Sequence, residues 1–218
     1  MQCFTRPMLR AVLALALGAG AAAASAATLS VTVRDAAGKP AVDAVVSVIV
    51  PGQTPPPAVA AAAVVAQQGM RFVPYVSVVS VGTPVRFSNH DRFEHHVKSF
   101  SPAKQFAVLL DGASAPDKPT ESKEPVVFDQ AGVVQLQCLF HGSMRGYVFV
   151  SDTPWVAKTG ADGVATVSGV PEGNVELRVW HPDQWVDQTP AHLKISGPSS
   201  TAQFTLNVQT RASPSMRM

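Results

Sequence analysis

Apolar and polar residues alternate with a period of two along most of this 218-residue chain, and no stretch sustains a helical period. Runs rich in Val, Thr and Phe, bounded by Gly, Pro, Asn and Asp, read as strands, so the fold class is all-β. The stretch LSVTVRDAAGKPAVDAVVSVIV, residues 29–50, predicts a hairpin turning at Ala36-Ala37-Gly38-Lys39-Pro40. Residues 53–66 are rich in Pro and Ala, without aromatics or charge, and read as a linker. Strand patterns resume in FVPYVSVVSVGTPVRFSN, with Gly82-Thr83-Pro84 as a tight turn, and continue through HHVKSFS, KQFAVLL, EPVVFDQAGVVQLQC and GYVFVSD. Between Asp111 and Pro125 the chain is polar and proline-bearing, an expected exposed loop. After Thr153-Pro154 the alternation sharpens through TGADGVATVSGVPEGNVELRVW, and two closing strands follow. Residues 209–218 lack a core-forming pattern and are expected to fray.

Composition adds a compartment. Residues 1–27 carry Arg6 and Arg10, then a short apolar run, then small residues in an A-x-A pattern, which reads as a secretory signal cleaved before Ala27 or Thr28. Its removal would lower the 17 basic residues to parity with the 15 acidic ones. A near-neutral chain with scattered Lys and Arg argues against nucleic acid as a partner. No later stretch is long and apolar enough to span a bilayer, so the expected product is exported, periplasmic and not membrane-spanning. Of the two cysteines, Cys3 departs with the signal and leaves Cys138 as a lone thiol. In an oxidising compartment such a thiol is a liability unless buried or ligated.

The neighbours of Cys138 favour ligation. The segment CLFHGSM spaces Cys138, His141 and Met144 three residues apart, in a loop between two strands. Thiolate, imidazole and thioether together select copper, whereas zinc would make poor use of the thioether. Side chains merely packed in a core are the remaining alternative. A second nitrogen can come from His90, His95 or His96. In HHVKSF, His95 shares a face with Val97 and His96 shares one with Lys98, so His95 is expected to point inward. His90 reads as a turn residue.

These residues resemble a family. A Phe-x-Asn-x-Asp strand end, a later His-x-Val, and Cys-x-x-His-x-x-Met before a Gly-hydrophobic strand are similar to the cupredoxins, the blue copper proteins of type 1, with the short amicyanin-like spacing. The resemblance covers about residues 72–151 and is most specific in CLFHGSMRGYVFV. It implies a Greek-key β-sandwich over residues 67–152 that holds one copper per chain. His95, Cys138 and His141 would be the strong ligands and Met144 the weak axial one. It departs from the family at His96, where Asn is usual, and in lacking the proline common near the Cys-His pair. Cys138 is flanked by Gln137 and Leu139, which excludes the His-Cys relays of multicopper enzymes, so no enzymatic activity is expected.

Residues 28–52 and 153–208 resemble the two parts of a carboxypeptidase-regulatory or transthyretin-like β-sandwich into which, or beside which, the copper domain is placed. What the resemblance implies overall is a one-electron carrier serving a redox partner protein, a dehydrogenase or cytochrome. Copper delivery, or a cell-envelope interaction without electron transfer, is the alternative. His141 is the expected edge through which electrons leave, with Phe140 and Val97 as the apolar docking patch around it, and sequences that resemble this arrangement are often labelled methylamine-utilisation proteins.

Overall fold

The computed structural model describes residues 26–53 and 62–212. Among them are seventeen strands in four sheets and no helix. Most of the expected leader, part of the linker and residues 213–218 lie outside the described residues.

Residues near the two ends build one sandwich. Strand β1 (Ala26–Arg34) pairs in parallel with β17 (Ser199–Thr205) and antiparallel with β14 (Val164–Pro171). In the other sheet β2 (Val45–Ile49) lies between β13 (Val156–Lys158) and β15 (Gly173–Trp180), with β16 (Ala191–Ile195) beyond. Leu29, Val31 and Val33 of β1 meet Val46 and Val48 of β2 and Leu177 of β15 in a core of fully buried side chains. Each such side chain contributes about 1.5–3 kcal/mol by leaving water.

The expected hairpin is corrected here. The turn at residues 36–40 forms, but β1 and β2 fall in different sheets, and the return strand is reduced to an Arg34–Pro40 bridge. Val45, Val46, Ser47 and Val48 are all buried, which requires cover on both faces. A hairpin partner could cover neither. Asp43, with φ of 64°, turns the chain across to the second sheet. Ala26 and Ala27, assigned by their sequence to the leader, are the first residues of β1, and Ala27 is buried in the core.

Ten strands, β3 to β12, lie between β2 and β13 in the chain and form the second sandwich. One sheet holds β3 (Ala63–Gln67), β4 (Phe72–Val73), β6 (Thr83–Asn89), β9 (Thr120–Glu121) and β10 (Val126–Phe128). The other orders β5 (Val76–Ser80), β12 (Arg145–Ser151), β11 (Gly132–Cys138), β7 (His95–Ser101) and β8 (Lys104–Leu110). Phe72, Phe87 and Phe128 from the first sheet pack with Val97, Leu136 and Val148 from the second. The chain returns to the terminal sandwich at Thr153, whose Oγ1 donates to the Val48 carbonyl at 2.9 Å.

Three loop expectations change. The expected linker ends early, because Val65 and Gln67 of β3 are buried between β6 and β4; alanine-rich composition hid a paired strand. The expected exposed loop 111–125 contributes β9, which pairs with β6, and buries Ser122, whose Oγ accepts from the Phe87 amide. The expected fraying tail is tied down through residue 211 by polar contacts that a search for apolar pattern cannot register. Thr210 donates its backbone N–H and hydroxyl to Asp35 Oδ2 at 3.1 and 3.2 Å.

Asp35 also accepts from the amides of Ala37 and Lys39, each at 2.9 Å, and so joins the turn after β1 to the C-terminal segment. Burial pushes its pKa up, but the amides of Thr210, Lys39 and Ala37 outweigh this and hold the carboxyl below its ordinary value. A depressed carboxyl stabilises the fold above its unfolded value of about 4 and loses that contribution as pH falls through the lower folded value. Asp35→Asn is therefore expected to lower Tm at pH 7, with the difference from the parent closing below about pH 4. A Tm difference equal at all pH values would show that the charge of Asp35 is not what matters.

Candidate metal centre

The site grows from two strand ends and one short loop. Along β7 the side chains of His95, Val97 and Ser99 are buried and alternate with His96 and Lys98 on the other face. Cys138 ends β11 directly opposite Val97, which brings its side chain to the same buried face. The loop beyond closes on itself: Met144 N–H donates to the His141 carbonyl at 2.9 Å, and Cys138 N–H to the Met144 carbonyl at 3.2 Å. Loop and strand are joined by the Leu139 amide donating to the His96 carbonyl at 3.1 Å, and the His96 ring lies 5.8 Å from that of Phe140. The loop is thus tied to β7 through the backbone at His96.

Cys138 Sγ lies 3.5 Å from Nδ1 of His95 and 3.4 Å from Nδ1 of His141. All three donor atoms fall within 4.8 Å of one another. Two donors each about 2.0–2.3 Å from one ion, at angles between tetrahedral and trigonal, stand about 3.3–4.0 Å apart, so this group can hold a single metal ion. Met144 is buried in the same core cluster as Cys138. His96 and His90 are not in the group. His90 instead has Nδ1 3.0 Å from the Pro116 carbonyl.

Sequence alone gave no role to Asp91, which orients His95. Its Oδ2 lies 2.9 Å from His95 Nε2, and it accepts from the amides of Gly69 at 2.7 Å and Met70 at 3.0 Å. Burial raises the pKa of Asp91, but the Met70 amide, the His95 bond and the Gly69 amide together keep it below its ordinary value. An ionised carboxylate only accepts, so His95 carries its proton on Nε2 and turns a lone pair on Nδ1 toward the thiol. An acid four residues before the candidate His was the available signal. Asn89, fully buried, holds the intervening turn by donating to the carbonyls of Phe93 at 2.8 Å and Asp111 at 2.9 Å. Phe93 packs its ring 5.2 Å from that of His95 and 5.3 Å from that of His141.

Asp91→Asn would set an amide NH2 against either the Gly69 amide or the Met70 amide and His95, and remove the carboxylate charge that holds the His95 ring. Metal affinity, read by competition with a chelator, is expected to fall by about 10–100-fold. An unchanged affinity would remove Asp91 from the centre.

The expected docking edge is corrected at one position. Val97 is fully buried against the core, because its face of β7 is the inward one. Half-exposed Phe140, Leu139 and Phe93 surround the partly exposed His141 instead.

No family model matches the chain, and no curated protein does. Solved structures similar to it are cupredoxins. A purple cupredoxin from Nitrosopumilus maritimus is 24% identical over 41% of this chain and 99% of that one, with a TM-score of 0.33. A mutant of amicyanin in its reduced state is 25% identical over 48% of this chain and 99% of that one, at 0.35. The copper-containing nitrite reductase of Thermus scotoductus is 21% identical over 42% of this chain and 22% of that one, at 0.33. The likeness at these scores is partial, and the metal centre stands on its own geometry.

Proposed function

We propose that the chain is an exported, periplasmic, mononuclear copper protein that carries one electron between redox partners and transforms no substrate. The observation that carries this reading is the convergence of His95 Nδ1, Cys138 Sγ and His141 Nδ1 within 4.8 Å. Buried Met144 in the same cluster makes copper a better match than zinc, since a thioether suits copper and serves zinc poorly. Copper, when bound, would supply the one-electron step between its two oxidation states.

The chain's own residues do the rest. Cys138 would give a thiolate, His95 and His141 their Nδ1 nitrogens, and Met144 a weak fourth contact. Strong donors fixed by two strand ends and a closed loop suit both oxidation states without rearrangement. The core around Cys138 keeps water away, while His141 reaches the surface amid Phe93, Leu139 and Phe140, an apolar edge for a dehydrogenase or cytochrome to dock against.

Export rests on the leader read from the sequence; among the described residues no helix is long and apolar enough to cross a membrane. The reading of the terminal sandwich as a carboxypeptidase-regulatory-like module, interrupted by the copper domain, is supported by the pairing of β1 with β14 and β17 and of β2 with β13 and β15.

Repeated electrochemical oxidation and reduction of the copper-loaded protein tests the carrier reading. The expected result is a reversible wave with copper retained through many cycles in the presence of a Cu(I) chelator. Progressive loss of Cu(I) to the chelator would sink electron transfer and favour copper delivery.

A further inference from the structure

We infer that the cavity bounded by Trp180 and Phe149, between the two sandwiches, is a binding site for an organic cation carried on a flat apolar body. The sandwiches touch through Trp180, at the end of β15, whose ring lies 5.4 Å from that of Tyr147 and 5.9 Å from that of Phe149, both on β12. Beside this contact opens a cavity of about 520 Å³, within the range of about 300–1,000 Å³ usual for small-molecule sites.

Strand alternation decides what faces it. On β2, Val46 and Val48 enter the core of the terminal sandwich, which leaves Ser47 and Ile49 on the outward face. On β15, Leu177 and Val179 turn into the core and leave Trp180 to the cavity. From the second sandwich come Val133 of β11 and Phe149 of β12, whose neighbours Val134, Val148 and Val150 fill that core. Ile49, Val133, Phe149 and Trp180 therefore make an apolar wall with two aromatic rings in it.

The cation and the amide donors of this wall are already engaged. Arg178 donates to Glu176 and cancels its charge, Gln188 Nε2 donates to Asn207 Oδ1, and Gln184 Nε2 donates to Asp187 Oδ1 at 3.4 Å. Acceptors are what is left. Asp152 and Asp187, exposed at the rim, form no ion pair among the described residues, so the cavity carries uncompensated negative charge. Deeper in, Ser47 is only 5% exposed and its hydroxyl has no hydrogen-bond partner among the described residues. A buried hydroxyl left without a partner costs stability, which a ligand N–H would recover. Carboxylates beside the negative faces of aromatic rings attract a cation, through charge-assisted bonds about twice as strong as neutral ones and through the ring quadrupole.

Calorimetric titration of the full mature chain without added metal, with benzamidine and separately with benzamide, its uncharged counterpart of the same shape, tests the proposal independently of the copper reading. The expected result is saturable 1:1 binding of benzamidine, at least about tenfold tighter than that of benzamide. Binding should weaken at least about tenfold in Asp152→Asn/Asp187→Asn, while Asp117→Asn, a charge loss between β8 and β9 outside the cavity, leaves it unchanged. Thermal melts of each variant confirm that it is folded. If benzamidine does not bind, if benzamide binds as tightly, if the double variant binds like the parent, or if the Asp117 variant loses binding as fully as the double variant, the cavity is not a cation site.

Discussion

Cys138→Ser is expected to abolish the intense thiolate-to-copper absorption of the mature protein loaded with one equivalent of Cu(II), and to replace narrow copper hyperfine splitting by a wide one. The sulfur is the anionic soft donor of the group, 3.5 and 3.4 Å from the two imidazole nitrogens, and a serine hydroxyl neither ionises at neutral pH nor donates comparable charge. A thermal melt of the metal-free variant separates loss of the band from unfolding. A pale parent protein whose wide splitting survives the substitution would remove Cys138 from the centre, and the electron-transfer proposal would go with it.

Gly112→Ala is expected to cost on the order of 3 kcal/mol in urea unfolding and to disturb the metal centre as well. A Cβ at Gly112 would lie 2.6 Å from the Arg92 carbonyl carbon and 2.9 Å from the Phe93 amide nitrogen, and backbone cannot swing aside as a side-chain tip can. The segment it would displace is held by Asn89 to both Phe93 and Asp111, and by the Ala113 amide donating to the Asp91 carbonyl at 2.7 Å. Moving it shifts Phe93 off the two imidazoles and Asp91 off His95. The contrast is Gly142→Ala, inside the candidate metal loop, where a Cβ meets nothing within 4 Å and a change below about 0.5 kcal/mol is expected. If Gly112→Ala proves as harmless as Gly142→Ala, the two backbones do not meet closely there.

What was legible in the sequence was local. In HHVKSF, one lysine in a run of period two is enough to separate His95 from His96, since successive side chains on a strand take opposite faces. The spacing of Cys138, His141 and Met144 holds regardless of what surrounds it. Asp91 was in plain view, but its role depends on meeting the Gly69–Met70 turn, more than twenty residues earlier. The hairpin at residues 29–50 was misread for a related reason: a turn signal says that the chain bends, and only the cover available to Val45–Val48 decides where it goes next.

By itself, then, the sequence determined the strand-forming period, the inward face of β7 and the donor chemistry of the Cys138 loop, because each depends on residues within a few positions of one another. Only the tertiary structure decided that His95 stands beside Cys138, 43 residues away, that Gly112 admits no side chain, and that Thr210 near the C-terminus meets Asp35 after β1. Such contacts are set by which strands pair and which faces are buried, and those choices minimise exposed apolar surface and unpaired backbone over the whole chain at once.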